Sequence, residues 1–80
     1  MDNLRHAKKA VGSKQVKKAV QKGLATKVYI AEDAEHHVTK PIIELCQEKG
    51  VEIQYVKTME ELGKACGIAV GSASAAILSE

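Results

Sequence analysis

The chain has no phenylalanine and no tryptophan, and its only tyrosines are Tyr29 and Tyr55. A reader of single-stranded RNA that stacks bases on rows of rings needs more than two, which argues against RRM-type and cold-shock proteins. Cysteine is equally scarce. Cys46 and Cys66 have no Cys-x-x-Cys spacing and follow no signal-peptide pattern, so they read as reduced, buried residues of a cytoplasmic protein. The longest uncharged stretch, 65–79, is interrupted by Gly and Ser and falls short of the roughly 18–20 apolar residues that span a bilayer. Phosphate-loop and Gly-x-Gly-x-x-Gly motifs are missing, and neither thiol has an evident histidine partner. Adjacent His36 and His37 point in different directions on a helix and make a poor metal site. The expectation is no enzyme, no metal, no cofactor and no membrane partner.

What is present suffices for one domain over 1–80: 45% of the residues are hydrophobic and 28% charged, enough apolar material to fold without metal or disulfides. The net charge of +2 conceals a division. Through Lys27 there are eight Lys or Arg against one Asp, +7; from Val28 onward there are four Lys against nine acids, −5. One basic end points towards a polyanionic partner. Four of the lysines, Lys14, Lys17, Lys18 and Lys22, sit in "GSKQVKKAVQKG" at 12–23.

The periodicity predicts a first helix from Asp2 or Asn3, with Leu4, Ala7 and Val11 inward and Arg5, Lys8 and Lys9 outward, stopping at Gly12. Ser13 is the expected N-cap of a second helix and Gly23 its C′ residue, with Val16, Ala19, Val20 and Leu24 as the apolar stripe. That places Lys14, Lys17, Lys18 and Lys22 on the opposite side. The run Val28-Tyr29-Ile30-Ala31 reads as a buried strand. A helix over 35–49 has Val38, Ile42, Leu45 and Cys46 inward. Pro41 leaves two registers open, one capped by Thr39 with Pro41 in the first turn and one starting near Glu35 and kinked at the proline. After Gly50, the alternation of Val51, Ile53 and Tyr55 with polar residues reads as a second strand. Thr58-Met59-Glu60-Glu61 has capping-box spacing for a third helix, closed by Gly67, and 74–79 reads as a last strand. The alternation implies an α/β sandwich with helices on both faces of a partly parallel sheet.

Two features could carry function. Behind Ser13, the free N–H groups of a helix start, its dipole and the outward lysines favour an anion, and Lys14, Gln15 and Lys18 stand where side chains reach base edges. Gly67-Ile68-Ala69-Val70-Gly71 is an apolar tripeptide between glycines. It reads either as the lead-in to the last strand or as a loop on which unstacked bases rest. The recurrence of Gly63, Gly67 and Gly71 suggests a close helix contact and two loop turns.

Gly12-Ser13-Lys14-Gln15-Val16-Lys17-Lys18, "AEDAE" at 31–35 and "ELGKACGIAVGSASAAIL" at 61–78 together resemble the kink-turn RNA-binding ribosomal proteins. That family includes the archaeal large-subunit protein that also seeds box C/D and box H/ACA particles, and small stand-alone bacterial members; the likeness runs over 4–78. It implies a three-layer α-β-α sandwich around a four-stranded mixed sheet, and so adds a short strand near Val11. It also implies an RNA target, a kinked helix with a three-nucleotide bulge beside tandem sheared G·A pairs.

By the family's Gly-x-Asn-Glu-x-x-Lys motif, the guanine-reading positions are Lys14, Gln15 and Lys18. Lys14 stands where the archaeal pattern has Asn, and Gln15 where it has Glu, as in the bacterial branch. Glu35 matches the acid that hydrogen-bonds a flipped-out nucleotide, and Ile68, Ala69 and Val70 after Gly67 match the loop over the bulge. Gly12, Ser13, Lys17, Lys22 and Lys64 complete the expected RNA contacts; Met59 replaces a residue that is basic in many members. The expected partner is structured RNA with a kink-turn, in ribosomal RNA or a leader or riboswitch RNA, with the ribosome as one setting, no DNA, and a monomeric protein. The alternative is a protein-interaction module of the same fold without specific RNA binding.

Overall fold

In a computed structural model, which describes residues 7–79, the chain runs β1 (Lys9–Val11), α1 (Ser13–Gln21), β2 (Ala25–Ala31), α2 (His36–Lys49), β3 (Glu52–Val56), α3 (Met59–Cys66) and β4 (Ser74–Leu78). The strands form one mixed sheet in the order β1-β4-β2-β3. β2 and β3 pair in parallel, and β4 is antiparallel to both β1 and β2. Helices α1 and α2 cover one face and α3 the other, giving the three-layer α-β-α sandwich.

Each face has its own apolar cluster. Val16 and Val20 of α1 meet Ile42 and Cys46 of α2 over Val28, Ile30 and Ala76 of the sheet. On the other side, Leu62 and Cys66 of α3 pack on Tyr29, Ala31, Val56 and Ala75. The alternation along β2 and β4 that divides them is the pleat of a sheet buried on both sides. Full burial of a side chain such as Ile42 or Leu62 stabilises the fold by about 1.5–3 kcal/mol. Burial pushes both thiols above their ordinary range, for Cys66 against a smaller opposing pull from Lys9. Among the described residues no helix is long and apolar enough to cross a membrane.

Helix ends follow local chemistry. Thr58 caps α3, its hydroxyl accepting from Glu61 N–H at 3.0 Å. Gly67 ends α3 and Gly50 ends α2, both left-handed. Pro41 lies inside α2, whose N-cap is Glu35. The helix therefore starts early and runs through the proline, giving up the bond that a residue-41 amide would make to the His37 carbonyl. Gly63 is buried where α3 meets the returning chain: a β-carbon there would collide with the Val70 carbonyl. This is the close helix contact expected of the glycine series.

Four expectations are corrected. The described part of the first expected helix contains a strand: Lys9, Ala10 and Val11 pair with Ile77, Ala76 and Ala75, so the sheet edge overrides a three-residue pattern that fits either period. Leu4 and Arg5 lie outside the described residues. Ser13 is the first helical residue and not the cap; Gly12 holds the cap position at φ 96°, ψ 153°, a conformation open essentially to glycine alone. Leu24 is 45% exposed, because the helix ends at Gln21 and Leu24 falls beyond its stripe. Tyr55 is 53% exposed, since β3 is the edge strand of the sheet.

Candidate nucleic-acid interface

β1, β2 and β3 all run in one direction, because β1 and β2 oppose β4 and β3 follows β2. Each leads directly into a helix, so α1, α2 and α3 all begin at the same end of the sheet, where β4 also starts. Backbone bonds tie the connections there: Gly12 N–H donates to the Ser74 carbonyl at 3.1 Å, Ala31 N–H to Ala73 at 2.9 Å, and Glu32 N–H to Val56 at 2.7 Å. Ligands of open α/β sheets gather at this end, outside the carboxyl ends of parallel strands.

α1 brings the strongest electrostatic feature to that edge. No side chain caps it, and its first turn contains no acid. Val16 N–H bonds to the Gly12 carbonyl at 3.0 Å, which leaves the amides of Ser13, Lys14 and Gln15 ahead of the first intrahelical bond. Lys14, Gln15, Lys17, Lys18 and Gln21 line one open groove along the helix. Gln15, Lys18 and Lys22 border a second groove floored by Ala10, Leu24 and Leu78. Among the described residues, no carboxylate pairs with Lys14, Lys17, Lys18 or Lys22. Lys14 in the first turn opposes the helix dipole at about 0.3–1 kcal/mol, so this end is stabilised by an anion placed against it.

Glu35 stands at the start of α2 with its side chain exposed. Its carboxylate takes His37 Nε2 at 3.1 Å rather than capping its own helix. Asp33, two residues earlier, accepts Met59 N–H at 2.7 Å. The third contribution is the segment between α3 and β4, a loop and not the beginning of a strand, since β4 starts at Ser74. Its residues differ: Val70 is 70% exposed and Ala69 exposed, whereas Ile68 is half-buried and packs against the α3-side cluster. The Ser72 hydroxyl donates to the Ser74 carbonyl at 2.6 Å and closes the loop onto the strand.

The edge thus unites Gly12, Ser13, Lys14, Gln15 and Glu35, with Lys17 and Lys18 one turn further along α1; the 67–71 loop leaves the far end of α3 and runs back along it, reaching the α3 start where Gly71 and Ser72 meet Met59. Two expected residues stand apart. Lys22 is at the far end of α1, about 13 Å along the axis at 1.5 Å per residue. Lys64 is on the opposite face of the sheet from α1, with its ammonium on Glu60 at 3.4 Å. The chain pattern gave Asp33 no role of its own; an Asp in a short turn ahead of a helix was the available sign. Among the described residues no group of three or more His, Cys, Asp or Glu side chains is placed to hold a metal.

The fold and this edge define an α/β sandwich with an uncapped basic helix beside an exposed apolar loop. The chain belongs to the ribosomal protein L7Ae/L30e/S12e/Gadd45 family, which it matches over residues 2–80, a family of ribosomal and RNA-binding proteins and not of enzymes. It is 56% identical over 69 residues to an RNA-binding protein of Caldanaerobacter subterraneus subsp. tengcongensis, covering 86% of this chain and 84% of the relative. The large ribosomal subunit protein eL8 of Halobacterium salinarum is 41% identical over 69 residues, 85% of this chain and 58% of that protein. Among solved structures, the Giardia lamblia 15.5kD RNA binding protein matches with a TM-score of 0.90 at 27% identity, covering 99% of this chain and 70% of that one.

Proposed function

We propose that the protein, as one domain over 1–80, is a cytoplasmic, monomeric RNA-binding protein that recognises kink-turn RNA by shape. The observation that carries this reading is α1: free amides behind Gly12, Lys14 in its first turn and Lys18 further along, and, among the described residues, no carboxylate partner for either lysine and no acid or side-chain cap at the helix start. A sharply bent RNA crowds phosphates together and exposes the edges of its G·A pairs, which suits amides and lysines that enter a groove. Glu35 then accepts from a flipped-out nucleotide, Ala69 and Val70 cover the bulge, Ile68 supports that loop from below, and Gly67 turns the chain into it. Lys17 and Lys22 meet phosphates of the flanking stem, and Lys64 is a peripheral contact once released from Glu60. The names of the relatives support RNA as the polyanion, and the eL8 relationship supports ribosomal RNA as one target beside leader RNAs.

Binding by preference for the kinked conformer shifts the RNA towards it. The test compares a kink-turn duplex with the same duplex carrying Watson–Crick pairs in place of the G·A pairs, at near-physiological salt. Clear preference for the kinked RNA is expected, and equal affinity for both would refute the reading.

A further inference from the structure

Met59, the first residue of α3, joins two loops of the proposed interface. Its N–H donates to Asp33 Oδ1 at 2.7 Å, and its carbonyl accepts from Ser72 N–H at 3.1 Å. The first bond fixes the turn at 31–34, closed by Ala34 N–H on the Ala31 carbonyl at 3.2 Å, from which Glu35 follows directly. The second holds the returning 67–73 segment against α3. Gly71 permits that approach, because a β-carbon there would stand 3.1 Å from Met59 Cβ and 3.2 Å from its carbonyl carbon.

We infer that Asp33 is a positioning residue: through the Met59 peptide it presets the separation of Glu35 from the 68–70 loop before RNA arrives. This rests on the RNA-binding reading of that surface. A charged acceptor makes the stronger kind of hydrogen bond, and loops already in place lose less conformational freedom on binding. Asp33 is exposed and belongs to neither apolar cluster, and α3 already has Thr58 as its cap. Its bond is therefore the one side-chain hydrogen bond from the Glu35 turn to α3 among the described residues; the other side-chain contacts there are apolar, Ala31 and Ala34 on the Leu62–Cys66 cluster.

The experiment uses the full chain with Asp33→Ala and Asp33→Asn. Both remove the same charge, but only the amide keeps an acceptor oxygen for Met59 N–H. The alanine variant should bind kink-turn RNA about two- to tenfold more weakly than the asparagine variant, the change that loss of one hydrogen bond produces. Amide exchange should quicken at Ser72 as well as at Met59, and the loss should fail to add to that of Glu35→Ala. Equal affinities of the two Asp33 variants, with the wild type still discriminating kinked from G·A-disrupted RNA, would overturn the inference and leave the RNA reading standing. Unchanged exchange at Ser72, or full additivity with Glu35→Ala, would overturn it as well. A wild type that does not discriminate would remove the RNA reading itself and the inference with it.

Discussion

Helices α1 and α3 start at the same end of the sheet, on opposite faces, and are treated in opposite ways. The α3 start is satisfied from within: Thr58 accepts Glu61 N–H, Asp33 accepts Met59 N–H, and Glu60 and Glu61 sit in the first turn. Its lysine, Lys64, lies in the last turn, where cations suit the dipole, and pairs with Glu60. At α1 the cap is a glycine, the first turn holds lysine in place of acid, and the basic side chains have no carboxylate partners among the described residues. At the last turn both helices follow the dipole, with Lys18 in α1 and Lys64 in α3; at the start, α3 obeys the local rules and α1 breaks them. Local rules are often broken where a binding partner supplies the missing compensation, so the contrast supports the proposed division, with α3 as scaffold and α1 as the RNA-facing helix.

The contrast is most exposed to test in RNA binding. Lys18→Ala should weaken specific binding by roughly 1–3 kcal/mol, as expected of a residue reading base edges. Lys22→Ala, at the other end of the helix, should act about equally on all RNAs and reduce the salt slope by about one phosphate. Titrations against kinked and disrupted RNA at several salt concentrations separate the two, and an equal loss on every RNA for both variants would deny Lys18 its base-reading role. The loop after α3 divides in the same manner. Ile68→Asn should cost about 1–3 kcal/mol of stability, because it places an amide against the Leu62–Cys66 side of the core. Val70→Asn should leave the melting temperature nearly unchanged and lower affinity for the kinked RNA. Melting and binding measured on both variants check this; a large stability loss from Val70→Asn would place that residue in the scaffold.

This division within the loop shows where pattern alone runs out. The α3 end could be read from the chain because its signals are local: Thr58 caps the helix through Glu61 N–H three residues on and Gly67 terminates it, although the Glu61 carboxylate makes no return bond of a capping box among the described residues. The stripe Val16, Ala19, Val20 was readable for the same reason, as was the 3.6-residue period in α2. β1 was not, because three residues carry no period and their conformation comes from β4, more than sixty positions later. Whether Ile68 or Val70 faces inward depends on how the loop lies on Gly63 and Met59, a tertiary contact with no trace in spacing. Asp33 escaped notice for a similar reason: its partner is an amide twenty-six residues away. The basic face was visible as charge, but its openness rests on the absence of partnering acids among the described residues, which only the packed chain can display.

Capping gives a smaller and more direct comparison of the two starts. Thr58→Ala should lower stability by about 0.5–2 kcal/mol, the usual effect of deleting a side-chain cap. Ser13→Ala should change it little, because the Ser13 side chain makes no cap bond and the cap position belongs to Gly12. Chemical denaturation of both variants reads the difference, and a Ser13→Ala loss as large as that of Thr58→Ala would mean that α1 is capped after all.

The smallest effect is the most specific, because it has opposite signs in two measurements. Lys14 occupies the first turn of α1, where its charge opposes the dipole and stands four residues before Lys18. Lys14→Glu should stabilise the free protein by about 0.3–1 kcal/mol through the dipole, with about 0.2–0.5 kcal/mol more from a carboxylate placed four residues ahead of a lysine. Lys14→Gln should recover only the part due to removing the misplaced charge, and the gains should shrink as salt screens them. Binding should move the other way, since the carboxylate meets the same phosphates and base edges that the ammonium was placed to meet. Thermal melts at low and high salt, paired with RNA titrations, therefore decide whether α1 trades stability for binding. A variant that gains stability and keeps its affinity would show Lys14 to be an ordinary solvated lysine, and one that loses both would place its side chain in the fold.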